Sequence, residues 1–454
     1  MNKKSLNISP ADTKQRTEVP EDLAYRILMA KLGMIGIVIG VLIGSYQLSF
    51  TQALLAAVVS AFGFIIPAWI VTLGQKTGLS TLIMSQATLG RYGNRVAKIL
   101  AWINAFGWTI LQVIISCWLL LTIITQGQVT KNTWALATSG IITLTLIGLL
   151  IWRGKRWNHD IRVWLHGLFV ILSLVVAGFG FSNINWQAIS NVPTANWFTN
   201  WVPAVMLATV ATSLISTMAA GNWGNRIKKG HYQNSTLVAA LIGGGLPSYL
   251  LIVVGLLLSY GIPSLANKRL PFVEIYQILP GWLNNIYFGV AVIILALHAM
   301  QSFKNANRLV APLITQLKIS SGQVQIGQFL AIALCTSVLV TSPVNFFEQL
   351  HVWLSTIGII LFGWFGTFTA DYLLRHRQGF DSDEIAMTSQ QYYHWEGILA
   401  WLLAVLVGML TTNNALWQGP WAHGLFMNDG NGVLLAGVIG FGMIFVFKII
   451  PLKQ

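Results

Sequence analysis

KLGMIGIVIGVLIGSY, residues 31–46, is an apolar run of helix length interrupted by Gly33, Gly36, Gly40 and Gly44. Each glycine weakens a helix by about 1 kcal/mol relative to alanine, so four in one run need a reason. Small residues allow a second helix to pack closely inside a bilayer. A helix broken near the membrane midplane also frees backbone groups to hold a solute or an ion. Taken alone, the run favours packing. A second stretch, ATVATSLISTMAAGN (208–222), is rich in Ser, Thr and small residues, as a second broken helix would be. Breaks are expected around Gly36–Gly40 in the first run and Ser213–Thr217 in the second.

The rest of the chain puts these runs in a membrane. Of its 454 residues 55% are hydrophobic and 9% charged, with a mean hydropathy of +0.66. A soluble domain carries about a quarter charged residues. Continuous apolar stretches of roughly 20 residues span the hydrocarbon core as helices. Twelve such spans are read at about 26–47, 51–74, 97–126, 133–152, 161–181, 202–222, 236–260, 284–310, 324–342, 349–374, 393–411 and 432–450. Residues 74–93 are too polar to span and are expected at the interface or folded back. The first apolar run follows about 25 polar residues, unlike a cleavable signal. Cys117 and Cys335 fall inside apolar runs and read as small packing residues.

A net charge of +14 invites a nucleic-acid partner, but its distribution argues against one. With the N-terminus inside the cell, 24 of the 27 basic residues lie in cytoplasmic segments or at their edges; Lys131, Lys268 and Arg269 are the exceptions. Lys31 is counted here, at the start of the first span. This is the positive-inside bias, and it predicts both termini in the cytoplasm of a multi-pass cell-membrane protein. No basic stripe or nucleic-acid motif accompanies it.

Acidic residues avoid the spans. Asp12, Glu18, Glu21, Asp22, Asp160, Asp381, Asp383, Glu384 and Asp429 sit in tails or loops, while Glu274, Glu348, Asp371 and Glu396 lie near helix ends. Carboxylate-ring channels and carboxylate proton relays need an acid mid-span. There is no phosphate-cradling loop, no HExxH and no Cys/His cluster, which argues against an ATP-driven pump or a membrane metalloenzyme. The remaining class is a secondary transporter rather than an enzyme, with no cofactor beyond a coupling ion.

Two motifs sharpen this. GQKTGLSTLIMSQATLGRYGNRV (74–96) resembles the Gly-x-Lys-Thr-Gly-Leu loop of the nucleobase–cation symporter-1 family, which includes cytosine, uracil, purine, allantoin and hydantoin permeases. GWFGTFTADYLLRHRQGF (363–380) is similar to that family's tenth helix, with its Ala-Asp-Tyr ending and basic tail. The resemblance implies an all-α, leucine-transporter-like fold of twelve transmembrane helices. The chain would then divide into a cytoplasmic tail (1–25), a first inverted repeat (26–181), a second (202–374) and two additional helices (393–450), with the first and sixth helices broken.

The site follows from INAFGWTILQVIIS (103–116). Trp108 and Gln112 are four apart and share a helix face. An indole offers a π-face, and an amide offers a donor and an acceptor, which together suit a flat, uncharged heterocycle. The resemblance implies that this pair contacts substrate. By the same alignment Leu214 stands where relatives place an aromatic ring, leaving any ring sandwich one-sided, with Ser213 and Ser216 as polar contacts. Relatives often carry an acid after this helix, where this chain has Asn222 and Trp223. In ALHAMQSFKNANRL (296–309), His298, Gln301, Ser302 and Asn305 share one face. Sodium-binding relatives use hydroxyl residues at the positions of Gln301 and Ser302, with carbonyls of the broken first helix near Gly36. Only Ser302 keeps a hydroxyl, and Lys304 close by either replaces the cation or snorkels to the surface. The reading leans toward proton coupling, or a sodium-independent cycle, over sodium symport.

The expected function is therefore secondary-active import of a nucleobase or related planar heterocycle by alternating access, with the lipid bilayer as surroundings and a monomer sufficient. The alternatives are a transporter of a vitamin precursor such as a hydroxymethylpyrimidine, or a membrane receptor or channel.

Overall fold

The computed structural model describes residues 16–128, 133–153, 159–268, 270–314, 320–386 and 390–449. Of the basic residues used to orient the chain, Lys3, Lys4, Lys14, Lys131, Lys155, Arg156, Arg269, Lys318 and Lys453 lie outside these, as does the acidic Asp12. Most of the expected tail 1–25 does too.

The first apolar run is two helices. α1 (Pro20–Lys31) begins with proline at its first position, and the Asp22 carboxylate accepts from the Val19 N–H. α2 (Met34–Gly44) follows after Leu32 and Gly33, and the two axes differ by 63°. The break thus lies earlier than the expected Gly36–Gly40. The reason is packing: those two glycines are helical and pressed against a later helix. A Cβ on Gly36 would sit 2.6 Å from the Leu251 Cβ, and one on Gly40 would sit 2.1 Å from the Ile252 carbonyl oxygen.

α3 (Phe50–Phe62) and α4 (Ile65–Thr77) make one long span, Phe50–Thr77. α4 ends on Gly78 at φ 76°, whose N–H returns to the Gly74 carbonyl at 2.8 Å; a side chain would strain this left-handed cap. α5 (Thr81–Ile124) is kinked at Gly90, so 81–89 forms a short arm and the third span begins at about residue 91. The polar segment therefore folds back, as expected. Its freed backbone groups pair with the stretch before a later helix: Arg91 and Tyr92 N–H to the Gln391 and Tyr392 carbonyls, and His394 N–H to that of Leu89.

α6 (Thr133–Arg153), α7 (His159–Ser182) and the short α8 (Trp186–Ser190) follow. The sixth span is broken where expected. α9 (Val202–Thr212) stops at Ser213, a tight turn covers Leu214–Ser216, and α10 (Thr217–Gly224) resumes. α11 (Gln233–Gly261) lies against α2, with Gly255 facing Gly40 so that the two backbones touch. α12 (Pro271–Ile278) precedes α13 (Gly281–Ile314), which packs along α5. α14 (Ser321–Thr341), α15 (Phe346–Asp371), the four-residue α16 (Ser382–Ile385), α17 (Trp395–Leu410) and α18 (Asn431–Ile449) complete the described helices. Between the last two, Asn413–Asn414 and Trp417–Gln418 pair as a small antiparallel hairpin.

Among the described residues ten helices are long and apolar enough to cross a bilayer, the bent pair α1–α2 makes an eleventh, and α17 is a shorter apolar helix. Many large Leu, Ile, Val and Phe side chains on these helices are exposed on the outer surface, as lipid contact requires.

The two motifs that carry the family resemblance meet in space. The Thr88 hydroxyl donates to the Asp371 carboxylate at 2.8 Å, the Trp364 indole to the Ser85 hydroxyl at 2.9 Å, and Lys76 to the Arg377 carbonyl at 2.8 Å. Asp371 is fully buried and faces Arg375 and His376; Arg375 also reaches Glu396 at 3.1 Å. These contacts clamp the 81–89 arm to the end of α15.

Candidate functional site

A cavity of about 1140 Å³ lies between the two broken helices, α5, α11 and α13. Its lining runs from Ile39, Gln112 and Ser248, inside their helices, to Arg26, Arg162, Arg226 and Arg308. That is larger than a drug-sized ligand needs. At the other end of the bundle the chain is tied together: His351 Nδ1 lies 3.1 Å from the Asp429 carboxylate, to which Tyr46 also donates, and Tyr46 stacks on His351. None of these three lines the cavity.

α5 supplies one wall. Asn104, Trp108 and Gln112 recur every four residues along it, and all three are largely buried. Asn104 donates to the Ile215 carbonyl at 2.9 Å, joining α5 to the turn in the sixth span. Trp108 Nε1 and the side-chain amide oxygens of Gln112 (Oε1) and Asn104 (Oδ1) have no hydrogen-bond partner among the described residues. Buried polar atoms are rarely left so, and these three are unused hydrogen-bonding capacity along one wall of the cavity.

The two breaks supply the opposite wall, and a side chain the sequence reading placed elsewhere joins them. Because the chain tightens at 214–216, the Ser216 N–H turns to Ser213 and the Thr212 carbonyl is released from the helix ladder. Lys31, the last residue of α1, donates to that carbonyl at 2.6 Å and to the Ser216 hydroxyl at 3.2 Å, with its ammonium 5.2 Å from the centre of the Phe64 ring. Counted in sequence among the cytoplasmic-edge cations, Lys31 instead sits at the junction of both breaks. Its position one residue before Leu32-Gly33 was the available signal, and the expected location of the break hid it.

α13 supplies the third wall. His298 approaches the Met29 carbonyl at 3.1 Å and His166 at 3.3 Å, and its ring lies where a Cβ on Gly33 would come within 3.0 Å. It therefore caps the first break. Gln301, Ser302, Lys304 and Asn305 also line the cavity, and Lys304 donates to the Met300 sulfur at 3.4 Å.

Of the residues singled out from sequence, the structure brings Gly36, Trp108, Gln112, Ser216, His298, Gln301, Ser302, Lys304 and Asn305 to one cavity. Ser213 and Leu214 do not reach it. Ser213 is fully buried with its hydroxyl 3.2 Å from that of Thr212, and Leu214 is fully buried in the core. The break at Ser213 rotates the chain so that Ile215 and Ser216 face inward instead. Trp223, on α10, is the aromatic side chain of the sixth span that lines the cavity. Gly36 meets the cavity edge while packing on Leu251. Among the described residues no group of three His, Cys, Asp or Glu side chains could hold a metal.

A sequence profile of a permease family for cytosine/purines, uracil, thiamine and allantoin matches residues 10–433. No curated protein matches the sequence. Among solved structures, the chain is similar to Mhp1, a nucleobase-cation-symport-1 family transporter. In the closed conformation with bromovinylhydantoin bound, the TM-score is 0.68 at 13% identity, covering 100% of this chain and 97% of that one. For the inward-facing conformation the values are 0.71, 14%, 100% and 96%. MhsT in complex with L-phenylalanine is similar at a TM-score of 0.54 and 15% identity, covering 94% and 97%. These likenesses establish a shared fold.

Proposed function

Since this chain belongs to the family of permeases for cytosine/purines, uracil, thiamine and allantoin, we propose that it is a secondary-active importer of a planar heterocycle, working by alternating access. The observation that carries the reading is the cavity. It brings two helix breaks and a Trp108–Gln112 wall to one place, and Tyr46, His351 and Asp429, which bond to one another, lie outside its lining. A ring stacked on Trp108 gains about 1–3 kcal/mol, and its edge finds the amides of Gln112 and Asn104. Bromovinylhydantoin, bound by Mhp1, is a planar ring of this kind.

The architecture belongs to the proposal. Residues 26–181 and 202–374 form two inverted repeats, supported by a break in the leading helix of each, and 393–450 adds two helices. The positive-inside bias supports a cytoplasmic location for both termini. The arginine-lined end of the cavity then faces inward, making this an inward-open state. One chain contains the whole cavity, so a monomer suffices.

The test is a binding screen of purified protein against purines, pyrimidines, hydantoins and thiamine precursors, followed by uptake of the best ligand into proteoliposomes. Saturable uptake competed by unlabelled ligand is the expected result. Non-saturating flux would make it a channel, and binding without flux a receptor. A hydroxymethylpyrimidine as best ligand would make it a vitamin-precursor transporter.

A further inference from the structure

The inference here rests on that reading of the cavity and concerns which rings it accepts. Six cationic side chains line it, Arg26, Lys31, Arg162, Arg226, Lys304 and Arg308, and no described lining residue is an aspartate or glutamate. Glu18 answers two of them from outside the lining, at 2.7 Å from Arg26 and 3.5 Å from Arg226. The arginines are what topology alone would place toward a cytoplasmic mouth. Lys31 is not, because it stands at a break inside a span and no described carboxylate lies within ion-pair distance of it.

The surroundings of Lys31 solvate its ammonium without cancelling its charge. Thr212 gives a carbonyl, Ser216 a hydroxyl and Phe64 a ring face, all of them neutral. An ammonium has three N–H donors, and these bonds occupy two, leaving one without an acceptor among the described residues. A uniformly cationic cleft with low-dielectric walls focuses a positive potential on its inner end, concentrating anions and repelling cations. A buried charge also gains most from a partner of opposite sign in direct contact. Beside it, Asn104 is bonded to Ile215, so the aromatic and amide wall of α5 and the ammonium belong to the same pocket end.

We propose that the site selects acidic heterocycles: planar rings that are anionic near neutral pH, through an attached carboxylate or an ionised ring N–H, with Lys31 as their counter-ion. Neutral bases bind more weakly, and cationic rings are excluded.

Matched ligands test this on the full-length protein in proteoliposomes: uracil against uracil-6-carboxylate, hypoxanthine against urate, and thiamine as the cation. The anionic member of each pair is expected to bind at least about tenfold more tightly, roughly 1.4 kcal/mol, and thiamine not at all. Lys31→Met brings each pair to within about twofold by the same measure, whereas Arg308→Gln keeps the preference. A neutral ring binding as well as its anion in the wild type overturns the proposal. So does binding of thiamine, or a preference that survives Lys31→Met. The wild-type comparison decides even if that variant misfolds. Neutral bases taken up while anions are refused would sink this inference and leave the proposed function intact; no heterocycle of any charge bound would sink both.

Discussion

Removing the Asp371 carboxylate should destabilise the end of the bundle where the 81–89 arm meets α15. Asp371 is fully buried and accepts from Thr88 at 2.8 Å while facing Arg375 and His376. Breaking a buried ion pair costs about 3–5 kcal/mol, mostly because the surviving charge is stranded. Here Arg375 is partly exposed and keeps Glu396 at 3.1 Å, so it is not stranded. The cost of Asp371→Ala should therefore fall at the lower end, about 3 kcal/mol. Thr88→Val removes one hydrogen bond to a charged group, worth about 1.5 kcal/mol. Since both changes act on one contact, the double variant should cost little more than Asp371→Ala alone, giving a coupling of about 1 kcal/mol. Unfolding in mixed micelles, titrated with a denaturing detergent, measures all four species. A cost for Asp371→Ala below about 0.5 kcal/mol, within the range of ordinary surface substitutions, would refute the clamp. Strict additivity of the two changes would show that Thr88 and Asp371 do not act through each other.

Other outcomes follow from the cavity and its supports. Trp108→Ala should weaken binding of the eventual substrate by about 1–3 kcal/mol and Gln112→Leu by a similar amount, read by direct titration; unchanged affinity in both would place the site elsewhere. Gly40→Val would put a Cβ 2.1 Å from the Ile252 carbonyl oxygen, so it should cost about 1–3 kcal/mol or more of overpacking, seen as lost micelle stability, whereas Gly148→Ala, with only ordinary contact to Phe329, should be near neutral. Uptake should be indifferent to an imposed sodium gradient, because only Ser302 keeps a hydroxyl where sodium-binding relatives carry two, and Lys304 lines the same cavity. Strong stimulation by inward sodium and none by inward protons would return the coupling role to Ser302.

Much of this was legible in the residues. Apolar runs of membrane length are set by bilayer thickness, so the spans could be found one by one without knowing their neighbours. The pair Trp108–Gln112 needed only helical periodicity to be placed on one face, and His298, Gln301, Ser302 and Asn305 likewise proved to line one cavity. The fold-back of residues 74–93 was readable because a polar segment of that length has no place in hydrocarbon, and Gly90 supplies the kink.

What the sequence determined by itself was therefore local: which segments form long apolar helices, and which side chains share a helix face. Tertiary structure decided everything that depends on two segments meeting. Gly36 and Gly40 could serve packing or unwinding equally well, and the presence of Leu251, Ile252 and Gly255 opposite them assigns them to packing. That moves the break to Leu32-Gly33, and with it moves Lys31 from the membrane edge to the junction with Thr212 and Ser216. Ser213 and Leu214 turn away for the same kind of reason, since the direction of a chain after a break is set by what it packs against. A carbonyl released from one helix is satisfied by a side chain from another, 181 residues away in the chain, and no periodicity within either segment encodes that partner.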